Sequence, residues 1–180
     1  MRKEGRAVLA ALAVVLGAVG CGAEGTAAPV PLATVVPRPP GTGPLTKEVV
    51  RADLDGSAAN ARVPANSRGS LTKDVDDPAS PLSCVVRFMG FHEESVPVDV
   101  PRYERVLSEL GERGWKQRGE RQERKAVDGS DSQFTVVLEQ RGWRLKTEYR
   151  NIGDGGTVSL AAFDEACLKR TGGGGEVRQG

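Results

Sequence analysis

The chain has 180 residues, enough for one domain of ordinary size. Its 25 Lys and Arg nearly cancel 24 Asp and Glu, leaving a formal charge of +1, and this argues against nucleic acid as the main partner, which calls for a strong basic excess. Aromatic residues make up only 4% of the chain, which disfavours a large apolar ligand cavity.

Arg2, Lys3 and Arg6 give a positive start, and Ala7 to Val19 is an unbroken run of Ala, Val, Leu and Gly. At about 1.5 Å per residue this run is too short to cross a hydrocarbon core of about 30 Å as a helix. It reads as an export signal that ends in the small residues before Cys21. The run Ala18-Val19-Gly20-Cys21 resembles the lipobox of bacterial lipoproteins, with Ala18 where that pattern usually has Leu. The resemblance covers residues 1–22. It implies a signal peptide over 1–20, acylation of Cys21 and anchorage on the outer, extracytoplasmic face of the cell membrane, each buried CH₂ contributing about 0.8 kcal/mol. The other reading is an ordinary secretory signal followed by a chance Cys. Removing residues 1–20 takes Arg2, Lys3, Arg6 and Glu4 away and turns the balance to −1, so lipid alone would hold the protein to a bilayer.

Residues 21–44 then hold six prolines among Gly, Ala and Thr with no apolar period, which reads as an extended tether. A single α+β domain is expected over 45–171, its regular core over 84–168. A short helix starts at Thr46, with Val49, Val50 and Leu54 on one face, and Asp55-Gly56 stops it. Residues 56–82 read as loop. Leu-Thr-Lys-Glu-Val at 45–49 recurs as Leu-Thr-Lys-Asp-Val at 71–75, too short a match to define a repeat.

A buried strand follows through Val85, Val86, Phe88, Met89 and Phe91. Asp99 caps a helix with Pro101 in its first turn, and Tyr103, Val106, Leu107 and Leu110 keep helical spacing. Gly111 or Gly114 ends it, and Trp115 enters the core. Residues 116–125 are polar throughout and read as a solvated strand, with a helical extension carrying a Glu120–Arg124 pair as the alternative. Asp128-Gly129 would turn into a hairpin. In that hairpin Phe134, Val136 and Leu138 face Tyr149, Thr147 and Leu145 across an Arg141-Gly142 turn, and Glu139 faces Arg144. Gly153, Gly155 and Gly156 make the next turn, and a last strand from Thr157 to Phe163 leads into a helical turn holding Cys167. The expected fold is a mostly antiparallel sheet of four to five strands with one main helix on one face. Residues 172–180 read as a disordered tail.

With Cys21 assigned to lipid, Cys84 and Cys167 remain as an even pair, most simply a disulfide in an oxidising compartment. Two buried thiols are the alternative. No catalytic constellation emerges. His92 is the sole histidine, and Glu93 and Glu94 beside it point in different directions on an extended chain. Asp74, Asp76 and Asp77 lack the Gly and Glu that a calcium loop requires. No metal ligand set and no cofactor are expected. The basic run 116–125 could meet lipid headgroups or an anionic wall polymer, although a solvated face is the plainer reading.

The whole pattern resembles small exported lipoproteins of high-GC Gram-positive bacteria, in which a lipobox and a Pro-rich tether precede one α+β domain. The resemblance implies a membrane-anchored, non-enzymatic binding module in the envelope, its partners an envelope protein or a wall component. A carrier or sensor for an apolar small molecule, held between sheet and helix, is the alternative. A hydrolase built on carboxylates alone would need a pair that the sequence does not single out.

Overall fold

Apolar alternation in the second half of the chain builds the sheet, and two capped helices close one side of it. The computed structural model describes residues 41–67, 75, 77–125, 132–152 and 155–172. Cys21, most of the Pro-rich stretch, Asp74, Asp76, the Asp128-Gly129 turn and the tail from 173 lie outside the described residues. In chain order the elements are α1 (Lys47–Asn60), a 3₁₀ turn (Pro81–Cys84), β1 (Val85–Phe91), α2 (Val100–Glu112), β2 (Lys116–Gln117), β3 (Gln122–Lys125), β4 (Ser132–Gln140), β5 (Trp143–Ile152), β6 (Gly155–Asp164) and α3 (Glu165–Arg170). The fold is α+β, with one antiparallel sheet ordered β1-β6-β5-β4-β2 and β3 also paired to β4.

The sheet has six strands because the polar edge strand is split in two. Gln117 pairs with Leu138 and Gln122 with Thr135, so four residues (118–121) bulge opposite two of β4. Gly119 supplies a left-handed turn at φ +74° there. The β4–β5 hairpin has the expected register, with Leu138 on Leu145, Val136 on Thr147, Phe134 on Tyr149 and Glu139 on Arg144. Arg141 and Gly142 both adopt positive φ, 45° and 84°, as a two-residue turn of the primed type requires. Gly155 and Gly156, expected in a turn, belong to β6. A Cβ on Gly156 would collide with the Val98 carbonyl and the Tyr149 ring, so glycine lets those groups close over the strand.

Helix α1 begins as expected, with Thr46 Oγ1 accepting from Val49 N at 3.4 Å. It does not stop at Gly56 but runs to Asn60, and it contributes to the core beside α2, which makes two core helices rather than one. Gly56, Ser57 and Ala58 are buried. Arg113 Nε donates to Ser57 Oγ at 2.9 Å, and Asn60 Nδ2 donates to Glu109 Oε2 at 2.6 Å. These contacts to α2 and its C-terminal cap outweigh the roughly 1 kcal/mol that a mid-helix glycine costs. The Asp99 side chain accepts from Arg102 N to start α2, and Tyr103, Val106 and Leu110 are fully buried. Trp115 then turns inward, its indole N–H donating to the buried Asp53 carboxylate at 2.9 Å.

Three hydrogen bonds fix the start of the domain to the hairpin turn. Trp143 Nε1 donates to Leu45 O at 2.8 Å, Leu45 N to Arg141 O at 3.3 Å, and Arg141 Nε to Gly43 O at 2.5 Å. At the far end of the chain, Asp164 Oδ1 caps α3 by accepting from Ala166 N and Cys167 N. The Cys84 and Cys167 sulfurs lie at bonding distance, with their Cα atoms 5.5 Å apart, joining the 3₁₀ turn to α3.

Candidate functional site

Strand periodicity gives the sheet two chemically different faces. On one, Val86, Phe88, Val136, Leu145, Val158 and Leu160 join α1 and α2 in a continuous apolar core. Tyr103, Thr147, Asp53 and Ser57 have hydrogen-bond partners there. The Tyr103 hydroxyl lies 2.8 Å from Thr147 Oγ1, which donates to Val136 O at 3.1 Å, and burial pushes the tyrosine up to about 12. Burial also raises Tyr149, with the Asp99 charge adding to the effect.

The other face is polar and lies outside this core. Strand β5 gives it Arg144, Lys146, Glu148 and Arg150. On the strands alongside, Arg144 is flanked by Phe163 and Glu139, Lys146 by Ala161 and Val137, Glu148 by Ser159 and Thr135, and Arg150 by Thr157 and Gln133. Arg87 on β1 and Lys116 on β2 share this parity through their pairing with Ala161 and Glu139.

The charges on this face are layered. Lys146 lies 3.1 Å from Glu148, and Arg150 pairs with the same carboxylate. The Glu148 side chain is 11% exposed while Lys146 and Arg150 are 53% and 54% exposed, so the cations stand over the anion. Arg118 and Arg144 both pair with Glu139, at 2.6 and 3.5 Å, and Arg144 also reaches Glu165 at 2.7 Å. Glu139 is 33% exposed against 64% for Arg118. On helix α1 the order is reversed, Arg51 at 24% beneath Asp55 at 52%. An open cleft of about 590 Å³, lined in part by Lys116, Arg118, Glu139 and Trp143, continues this surface to the hairpin end.

The residues singled out from sequence are not brought into one site. Cys84 is buried beside α3, and His92 is exposed at the end of β1, its ring Nδ1 3.4 Å from Val98 N. Asp77 accepts from Ala79 N in a local turn. Among the described residues, no three His, Cys, Asp or Glu side chains group as a metal site. Of the basic run, Arg121 leaves the solvated face, packing its guanidinium 4.0 Å from the Phe134 ring centre and pairing with Glu104 on α2. The one local signal for the bulge is Gly119, which marks an interrupted strand but not which side chain turns inward. The cationic row on β5 did have one, since Arg144, Lys146, Glu148 and Arg150 alternate strictly with the core residues.

No protein-family model matches this chain, and neither a curated protein nor a solved structure matches it.

Proposed function

We propose that the chain is a lipid-anchored extracytoplasmic protein whose domain acts as a non-enzymatic binding module in the cell envelope. The observation that carries this reading is the polar, cation-topped sheet face beside a filled core. The carrier alternative would need a hollow between α2 and the β4–β5 hairpin. That space is taken by Tyr103, Val106, Leu110, Val136, Leu145 and Thr147, none more than 2% exposed. The anchor rests on Cys21 and its lipobox. Replacement of Cys21 with Ser in an expressing bacterium should shift the protein from the membrane fraction to the soluble exported fraction, and retention in the membrane would refute the anchor. The released chain should then co-sediment with purified cell walls. Failure to do so, together with failure to cross-link to any envelope protein, would refute the binding module.

A further inference from the structure

We propose that the sheet face opposite α1 and α2 binds a linear polyanion of the wall, a polyol polymer joined by phosphodiesters. This deepens the binding-module reading and rests on it. The chain as a whole is nearly neutral, yet its charges are segregated. Helices α1 and α2 carry more carboxylates than cations, whereas the open face carries Arg87, Lys116, Arg144, Lys146 and Arg150 against Glu139, Glu148 and, reaching in from α3, Glu165. In every ion pair along β5 the cation is the more exposed partner, so an approaching ligand meets guanidinium and ammonium groups first.

The spacing suits a chain of repeated anions. Arg144, Lys146 and Arg150 lie on one side of a single strand, so at about 3.4 Å per residue their Cα atoms are about 7 and 14 Å apart in sequence. Beside Lys146, Glu148 and Arg150 the neighbouring strands present Ala161, Ser159, Thr157 and Thr135, with Val137 and Gln133 as the larger neighbours, while Phe163 stands beside Arg144. The row therefore lies open to a thin polymer, with hydroxyl groups placed to bond phosphate or polyol oxygens. A protein partner of stable type would be expected to bury an exposed apolar centre, and of the apolar residues on this face, Val85, Met89, Phe91, Val137, Ala161 and Phe163, only Phe91 at the sheet edge is exposed. Single-stranded nucleic acid binds by stacking its bases on a series of aromatic rings; this face has Phe163 beside Arg144 and Phe91 beyond Thr157 at the edge, and no ring beside Lys146, Glu148 or Arg150.

The test is binding of poly(glycerol phosphate) to the full exported chain carrying Cys21→Ser, measured by calorimetry over a series of salt concentrations. Affinity should fall linearly on logarithmic axes with added salt, as counterion release requires. Lys146→Glu and Arg150→Glu should each weaken binding about tenfold and lower the salt slope by about 1. Lys146→Gln, which adds no repulsion to Glu148, should weaken it less while keeping the fold. Arg105→Glu, the same charge change on an exposed position of α2, should leave affinity unchanged. An equal loss from Arg105→Glu would overturn the assignment to this face. Tighter binding of phosphatidylglycerol vesicles or of oligothymidylate than of the polymer would overturn the ligand class. If walls stripped of phosphate polymer by acid retain the protein undiminished, the polyanion is wrong and the module stands. If neither intact nor stripped walls retain it and no envelope protein cross-links to it, both readings fall.

Discussion

Replacing Tyr103 with Phe and Thr147 with Val separates the two halves of the buried polar chain in the core. Thr147 spends its one hydroxyl hydrogen on Val136 O, so the Tyr103 hydroxyl must donate to Thr147. Tyr103→Phe removes that donor and strands only an acceptor lone pair, at a cost of about 1 kcal/mol. Thr147→Val leaves the tyrosine O–H buried without an acceptor and also takes the donor from Val136 O, so its cost should be larger, about 1–3 kcal/mol. The double variant should cost less than the sum, because both ends of the mismatch are gone. Urea unfolding at neutral pH measures all three, and Thr147→Val proving the milder single change would refute the assigned hydrogen-bond direction.

The same hydroxyl gives the protein an alkaline signature. An unfolded tyrosine ionises near 10, whereas Tyr103 in the fold holds its proton to about 12. Between those values the native state binds more protons than the unfolded state, so stability falls as pH rises. The contribution is complete below pH 10 and lost by about pH 12, roughly 2–3 kcal/mol at about 1.4 kcal/mol per unit. Tyr103→Phe should flatten this fall, leaving the smaller part due to Tyr149. Identical alkaline slopes for wild type and variant would show that burial does not hold the Tyr103 proton.

Two further outcomes follow from the packing. Ala at both Cys84 and Cys167 opens a loop spanning 83 residues, which a chain-entropy estimate puts at about 4–5 kcal/mol. Urea midpoints would show it, and a loss under about 1 kcal/mol would mean that β1–β6 pairing already restrains the loop. Asp53→Ala leaves the Trp115 indole N–H buried without this acceptor and should destabilise by about 1–3 kcal/mol, with a shift in tryptophan emission as the second readout.

The hairpin was legible because three independent signals, alternation, a two-residue turn and the Glu139–Arg144 charge pair, all specify the same register. Asp99 and Thr46 were legible as caps because capping is local. The end of α1 was not, because Gly56 stops a helix only when nothing packs on it, and the contacts from Arg113 and Glu109 come from more than 45 residues away. Arg121 was misplaced for a similar reason. In sequence it belongs to a polar run, but a bulge swings it over Phe134. The open face was half legible. The alternation that assigns Leu145, Thr147 and Tyr149 to the core assigns Arg144, Lys146, Glu148 and Arg150 to the opposite side. What sequence could not give is the depth of each charge, which depends on side chains crossing over one another.

The edges of the sheet bear on which surface is left for binding. An exposed edge offers backbone groups to any passing strand, and proteins block such edges with charge, bulges or side chains. At one edge β3 presents Gln122, Glu123, Arg124 and Lys125, all exposed, next to the bulge at 118–121. At the other, Asn66 acts as a one-residue strand. Its Oδ1 accepts from Phe91 N at 2.8 Å, and its Nδ2 donates to Phe91 O at 2.9 Å and to Glu93 Oε1 at 2.7 Å. Farther along, Arg51 Nη1 donates to Arg87 O at 2.5 Å. Asn66→Ala would free the Phe91 amide and carbonyl beside a ring that is 38% exposed. Because these groups can turn to water, the stability loss should be modest, about 1–2 kcal/mol. The larger effect should be self-association through the opened edge, seen as a concentration-dependent rise in sedimentation coefficient that a second change, Phe91→Lys, suppresses. A variant that stays monomeric at every concentration would show that Asn66 holds only the 63–67 segment, and that β1 is guarded by something other than this mimic of a neighbouring strand. Among the described residues both edges are thus guarded against strand addition, and the cationic face is where the proposed binding would fall.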